Sequence, residues 1–139
     1  MEECIKIIVL GEPVTQLRPI FNSHTRTASD PKKSRDYKLK VRQTAENYLG
    51  KDFELINEAI SVELMFYKSV PKSYSKKNTA MAIKGELKPT VKPDIDNYIK
   101  CVLDGLTKVV WTDDNLIVDI TAKKRYAEVP RAEIIIRKV

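Results

Sequence analysis

The sequence has few cysteines, a single histidine and no long hydrophobic run. Cys4 and Cys101 are the only cysteines, and no CxxC or Cys/His spacing accompanies them, so we expect neither a zinc site nor a disulfide framework. The N-terminal segment lacks the basic and apolar regions of a signal peptide. No apolar run approaches the roughly 20 residues that cross a bilayer. We therefore expect a cytoplasmic protein with reduced thiols.

The chain is rich in charge and has an ordinary apolar content. Its 139 residues, 42% of them hydrophobic, are enough for one domain over residues 1–139 with a core of its own. Lysine and arginine number 25 against 19 acidic residues, a net charge of +6. This balance favours polyanionic partners, but a basic chain can also simply be a soluble one.

Hydrophobic periodicity predicts a small α+β domain, in which helices cover a mixed four-stranded sheet. Strands are expected at 5–10, 60–67, 116–122 and 132–139, and 11–31 has the composition of a loop. A helix is expected over 34–49, with Tyr37 and Tyr48 on its core-facing stripe, and another from Pro93 to Leu106. A short helix capped by Ser73 and ending at Gly85 is expected in the lysine-rich segment 68–92.

The informative acidic residues surround the start of the helix that follows Pro93. On a regular helix Asp94 and Asp96 would point about 200° apart. They can converge only if Asp94 lies in the extended segment or cap before the helix. Pro93 disfavours helical geometry at Lys92 and presets φ for the entry into the next turn. Asp96, Lys100 and Asp104 then follow one polar edge of that helix. A second acidic pair, Asp113 and Asp114, precedes the next predicted strand.

Carboxylates held together repel one another, so such a cluster is costly without a cation. Magnesium prefers oxygen ligands and retains waters, and it can generate a hydroxide nucleophile for phosphodiester cleavage. The same residues also have simpler interpretations, because an Asp before a helix is often only an N-cap and Asp113 and Asp114 could form a turn. Composition and spacing leave these alternatives open.

The combination resembles a known family. The segments 92–97 (KPDIDN), Lys100, 103–106 (LDGL) and 110–114 (VWTDD) are similar to the signature of the RusA family of Holliday junction resolvases. The likeness extends back to 70–77 and forward to 123–126 and 130–131, and it covers roughly residues 60 to 139.

This resemblance implies a homodimer that resolves four-way junctions in DNA recombination and repair by paired phosphodiester hydrolysis, with Mg²⁺ or Mn²⁺ as cofactor. It implies that Asp94, Asp96 and Asp114 are essential for cleavage and bind the metal. It also implies that Lys100 is important for catalysis, with Asp113 as a further metal-ligand candidate. Asp104 matches as a supporting residue.

Basic residues around these acids fit a DNA substrate, because contacts to phosphates supply much of the affinity for DNA. The candidate DNA-binding residues are Arg18, Arg26, Lys32, Lys33, Lys72, Lys76, Lys77, Lys84, Lys88 and Lys92. Two alternatives remain open: a non-catalytic module that binds nucleic acid, and a nuclease for other branched or single-stranded DNA. Trp111 is expected to be a packing residue, and Cys101 to be buried and inert.

Overall fold

The structure, a computed structural model, describes residues 4–139. Its elements in chain order are β1 (Cys4–Leu10), β2 (Ile20–Asn22), β3 (Thr27–Ser29), α1 (Lys32–Leu49), β4 (Ile60–Ser69), α2 (Lys76–Ile83), α3 (Ile95–Leu106), a short 3₁₀ turn (Asp114–Leu116), β5 (Ile117–Ala127) and β6 (Arg131–Lys138). This is the predicted α+β fold, with all four predicted strands and all three predicted helices present. No helix in this part of the chain has the length and apolar character needed to cross a membrane.

The four long strands form one mixed sheet in the order β1-β6-β4-β5. β4 is parallel to β5 and antiparallel to β6, and β6 is antiparallel to β1. Alternate residues of β4 (Ile60, Val62, Leu64, Phe66) are buried, as the period of two predicts. β1 and β5 are the edges of the sheet, so β5 has a neighbour on one side only.

α1 and α3 pack on the buried face of the sheet and against each other. A Cβ on Gly105 of α3 would come within 3.0 Å of the Lys38 carbonyl oxygen and of Val41 Cβ, both on α1. The lack of a side chain at Gly105 therefore allows the two helices to approach closely. Lys38 adds a polar link, since its ammonium lies 2.7 Å from Asp30 and 3.2 Å from Asp104 of α3.

Two predicted details were wrong. The cap of α2 is Ser75, whose Oγ accepts from the Asn78 amide at 3.1 Å, and not Ser73; two serines lie in the same stretch, and local pattern does not choose between them. Tyr48 is 57% exposed instead of part of the core. α3 ends opposite Val41, so the last turn of α1 extends beyond its partner helix.

The segment predicted to be a loop contains the hairpin β2–β3, whose six residues are all exposed. Its turn includes Arg26 at a φ of 53°, and the Asn22 side chain accepts from the His24 amide at 2.9 Å. Loop-like composition hid the hairpin because each of its strands has only three residues.

Candidate active site

Asp94 and Asp96 lie together at the start of α3. Asp94 is the residue before the helix and has extended geometry, with φ −67° and ψ 144°, as predicted. Its side chain makes no capping hydrogen bond, so the simple N-cap interpretation does not describe it. Asp96 accepts from the Asn97 amide at 3.0 Å. Both side chains are exposed and line one cavity of about 640 Å³.

Three cationic residues of β5, Lys123, Lys124 and Arg125, line the same cavity. The Lys124 ammonium donates to the Val91 carbonyl at 2.7 Å and to the Pro93 carbonyl at 2.9 Å. It therefore holds the segment that leads into Asp94. Sequence reasoning gave Lys124 no role, because the run of three basic residues does not reveal which of them reaches back to this segment.

Asp114 lies at the other end of α3. Its Oδ1 accepts from Trp111 Nε1 at 2.9 Å and from the hydroxyl of Thr107, the residue that follows the helix. Trp111 is fully buried, so it is a packing residue as predicted, and it also orients Asp114. The neighbouring Asp113 accepts from the Asn115 amide at 3.2 Å and caps the 3₁₀ turn.

The two ends of α3 are too far apart for one chain to bring all three acids together. A helix of 12 residues is about 18 Å long. Within residues 4–139, no group of three His, Cys, Asp or Glu side chains is placed to hold a metal ion. The three-carboxylate site stays a prediction. Asp94 and Asp96 alone fit the chemistry of magnesium, which commonly binds one or two carboxylates together with substrate phosphates.

Lys100 is exposed and lines a different cavity from the two aspartates, together with Arg18, Asn97 and Asp104. It nevertheless lies one helical turn after Asp96, on the polar edge of α3 that the sequence predicts. Its role in catalysis stays a prediction.

All ten candidate DNA-binding residues are exposed. Within residues 4–139, none of the ten forms an ion pair. They fall on three parts of the surface: the start of α1 with the hairpin, the region of α2, and the segment before Asp94. Cations without acidic partners are suited to bind phosphates, but DNA contact stays a prediction for each of them.

Apolar side chains of α3 and β5 lie between the two acidic ends of α3. Ile99 and Leu103 are half-buried on α3, which contacts the edge strand β5. On β5 itself, Val118 is 58% exposed and Ile120 is 48% exposed. The sequence pattern predicted a strand here, but not that these two apolar residues of it are exposed. We call Ile99, Leu103, Val118 and Ile120 the α3–β5 strip.

Comparison with known proteins gives two matches. The sequence profile of the family described as endodeoxyribonuclease RusA matches residues 11–137. An uncharacterized protein of Bacillus subtilis, YqaN, is 41% identical to this chain, and the match spans 99% of this chain and 98% of that protein.

Proposed function

The chain belongs to the RusA family of endodeoxyribonucleases, and on that premise we propose that it cuts four-way DNA junctions with a divalent ion bound at the start of α3. Such junctions arise in DNA recombination and repair, which is where we place its activity. Mg²⁺ is the expected ion, and Mn²⁺ has similar preferences for oxygen ligands.

The observation that supports the proposal most is the pair of free carboxylates in a cationic cavity. Asp94 and Asp96 face solvent, and within the described residues neither forms an ion pair. Lys123, Lys124 and Arg125 surround them. Oxygen ligands among cations suit a metal ion that binds one oxygen of a phosphate while lysines bind others. A non-catalytic DNA-binding module would have no use for exposed acids facing phosphate.

Each charged residue of this cavity has a part in the proposed reaction. A bound divalent ion would polarise the phosphate and supply a hydroxide nucleophile near neutral pH. Asp94 and Asp96 would hold that ion, and Lys124 keeps Asp94 in its extended position through the Val91 and Pro93 carbonyls. Lys123 and Arg125 would orient the scissile phosphate and offset its developing charge.

The α3–β5 strip supports a homodimer. Exposed apolar side chains on an edge strand are a liability unless a partner covers them. Because the strip lies between the Asp94 end and the Asp114 end of α3, a two-fold axis through its middle and perpendicular to α3 would set the two α3 helices antiparallel. Asp114 of the partner subunit would then lie beside Asp94 and Asp96. The proposal therefore builds each metal site from residues of both subunits. This agrees with the length of α3, about 18 Å for its 12 residues, which separates Asp94 and Asp96 from Asp114 of the same chain.

The test is cleavage of a synthetic four-way junction and of a linear duplex of the same sequence, each with and without Mg²⁺. We expect paired cuts in the junction only when the metal is present. Asp94→Asn and Asp96→Asn should abolish cleavage and preserve or tighten junction binding, because a negative charge that faces phosphate is removed. Asp36→Asn, an exposed acid on α1, is the matched control and should cut like the wild type.

Two results would contradict the proposal. Equal cleavage by the wild type and by both aspartate variants would show that the start of α3 does not hold the catalytic metal ion. If the protein cuts single-stranded or flapped DNA and leaves the four-way junction intact, it is a nuclease, but the four-way junction is not its substrate.

A further inference from the structure

A second cavity borders Asp94, and Lys124 is not among the residues that line it. It has a volume of about 690 Å³, and we call it the β4–α3 cleft. Its walls are the segment 12–18 after β1, the end of β4, the start of α1 and the start of α3. The basic and acidic residues that line it are Glu12, Arg18, Lys33, Lys68, Lys92 and Asp94.

Hydrogen bonds hold the walls of the cleft in place. The Gln16 amide donates to the Asn97 carbonyl of α3 at 3.0 Å. The buried Ser34 hydroxyl donates to the Thr15 carbonyl and accepts from the Leu17 amide, both at 3.0 Å. Glu12 accepts from the Ser69 amide at 2.8 Å. The cleft is therefore formed before any ligand binds, as is usual for binding sites.

The cleft carries an excess of positive charge. It contains four cations and two carboxylates, and no ion pair involves the four cations in the described part of the chain. Lys68 is half-buried, and its ammonium lies 3.3 Å from the hydroxyl of Tyr98, which is almost fully buried. A cation that is already ordered loses less side-chain entropy when it binds a phosphate.

Asp94 lines both the β4–α3 cleft and the cavity that contains Asp96. A DNA strand whose phosphate reaches Asp94 therefore has a basic cavity on each side of the cut. The volume of the cleft falls within the ~300–1,000 Å³ typical of small-molecule sites, which gives room for one or two nucleotides and not for a duplex.

We propose that the β4–α3 cleft binds the backbone of the strand to be cut, at nucleotides that have separated from their complement at the branch point. This inference rests on the proposed function and names the part of the substrate that the cleft receives. Phosphates bind Lys68, Lys92, Lys33 and Arg18. The one aromatic ring in the cleft, Tyr98, lies beneath Lys68 and is too buried to stack on a base, so the cleft does not select a base sequence.

Selection of branched over linear DNA follows from this arrangement. In a linear duplex a strand can enter the cleft only after base pairs break and unstack. At a branch point the strands already diverge, so that cost is small. Discrimination between the two substrates is then partly a property of this cleft, separate from the chemistry at Asp94 and Asp96.

The test compares Lys68→Met with Lys51→Met, which removes the same charge at the far end of α1. Binding of a four-way junction is measured without metal over a range of salt concentrations. The slope of log affinity against log salt should become shallower by about 0.7 in Lys68→Met, the value for one lost contact to a single strand. Lys51→Met should retain the slope of the wild type, and Lys68→Arg should restore it.

A second measurement uses 2-aminopurine placed next to the mapped cut. Its fluorescence should rise when the wild type binds, because the base loses its stacking partners, and should rise less with Lys68→Met. Because Lys92 is exposed, Lys92→Met serves for the same comparison if Lys68→Met folds poorly.

If the wild type cuts junctions but the slopes and fluorescence of Lys68→Met and Lys92→Met match those of Lys51→Met, the cleft is not a strand-binding site and the proposed function stands. If the wild type cuts no junction, the proposed function itself fails.

Discussion

The acidic residues of the site have different surroundings in the structure. Asp94 and Asp96 face solvent at the start of α3, whereas one oxygen of Asp114 accepts two hydrogen bonds, from Trp111 and Thr107. The extended backbone of Asp94 could be predicted, because Asp94 and Asp96 would point about 200° apart on a regular helix and converge only if the helix begins after Asp94. The hydrogen bond from Trp111 to Asp114 could not be predicted, because it joins a buried indole to a turn whose shape depends on the core.

At the same scale, Tyr37 gives a prediction for the core. Among residues 4–139 its buried hydroxyl has no hydrogen-bond partner, and burial raises the pKa of the phenol well above its ordinary value. A buried polar group without a partner costs ~1–3 kcal/mol. Tyr37→Phe should therefore raise the free energy of unfolding by about 1 kcal/mol, measured by urea denaturation. A loss of stability in Tyr37→Phe would show that the hydroxyl has a favourable partner.

Among the elements, the contact between α1 and α3 holds the start of α3 in its place. Both helices were predicted from their apolar spacing. Gly105 was noted only because the segment 103–106 is similar to the signature of the RusA family. Sequence alone did not show that Gly105 lies against Val41, or that Lys38 joins Asp30 to Asp104. Such links depend on how two helices distant in sequence are packed, and periodicity carries no information about that.

Lys38 gives a prediction with a defined pH dependence. Its hydrogen bond lowers the pKa of Asp30 below the ordinary 3.8. Burial lowers the pKa of Lys38, but the bonds to Asp30 and Asp104 outweigh it and raise the pKa above 10.5. The Asp30 contribution is therefore present above pH 3.8 and is lost as the pH falls through the lowered value. The Lys38 contribution is present below pH 10.5 and is lost as the pH rises through the raised one.

We expect Lys38→Met to lower the free energy of unfolding by about 1–2 kcal/mol at pH 7, the range for partly exposed bonds between charged groups. The difference from the wild type should shrink at pH 3, because pH 3 lies below the ordinary pKa of 3.8 and part of the Asp30 contribution is lost there. Urea denaturation of both proteins at pH 7 and pH 3 measures it. A difference of the same size at both values would show that the lost bond to Asp30 is not its cause.

For the whole molecule, the α3–β5 strip is the feature that sequence reasoning did not anticipate. Alternation along 116–122 predicted a strand, and the strand exists, but the alternation did not show that Val118 and Ile120 are exposed. The order β1-β6-β4-β5 makes β5 an edge, and strand order is not encoded in the local pattern of any one strand. The homodimer that we propose would cover this strip.

Ile120→Glu should therefore yield a monomer, because a charge would be buried at the centre of the proposed interface. Sedimentation should show the dimer in the wild type and the monomer in the variant. The monomer should lose more cutting activity than the roughly 10–100-fold that follows from disturbing a metal ligand's support, because its site lacks the partner's Asp114. Ile8→Glu is the matched control, since Ile8 is 42% exposed on the opposite edge strand. A monomeric wild type, or a dimeric and active Ile120→Glu, would contradict this interface.

The most direct test of the account is to mix two inactive variants, Asp94→Asn and Asp114→Asn, under conditions that allow subunits to exchange. If each site takes Asp94 and Asp96 from one subunit and Asp114 from its partner, half of the dimers regain one intact site. Junction cutting should then return to about a quarter of the wild-type rate, as expected for random exchange in a two-fold dimer. Asp94→Asn mixed with Asp96→Asn should stay inactive, because both substitutions affect the same half of the site. An inactive mixture of Asp94→Asn and Asp114→Asn, with exchange verified, would contradict a cutting site shared between subunits.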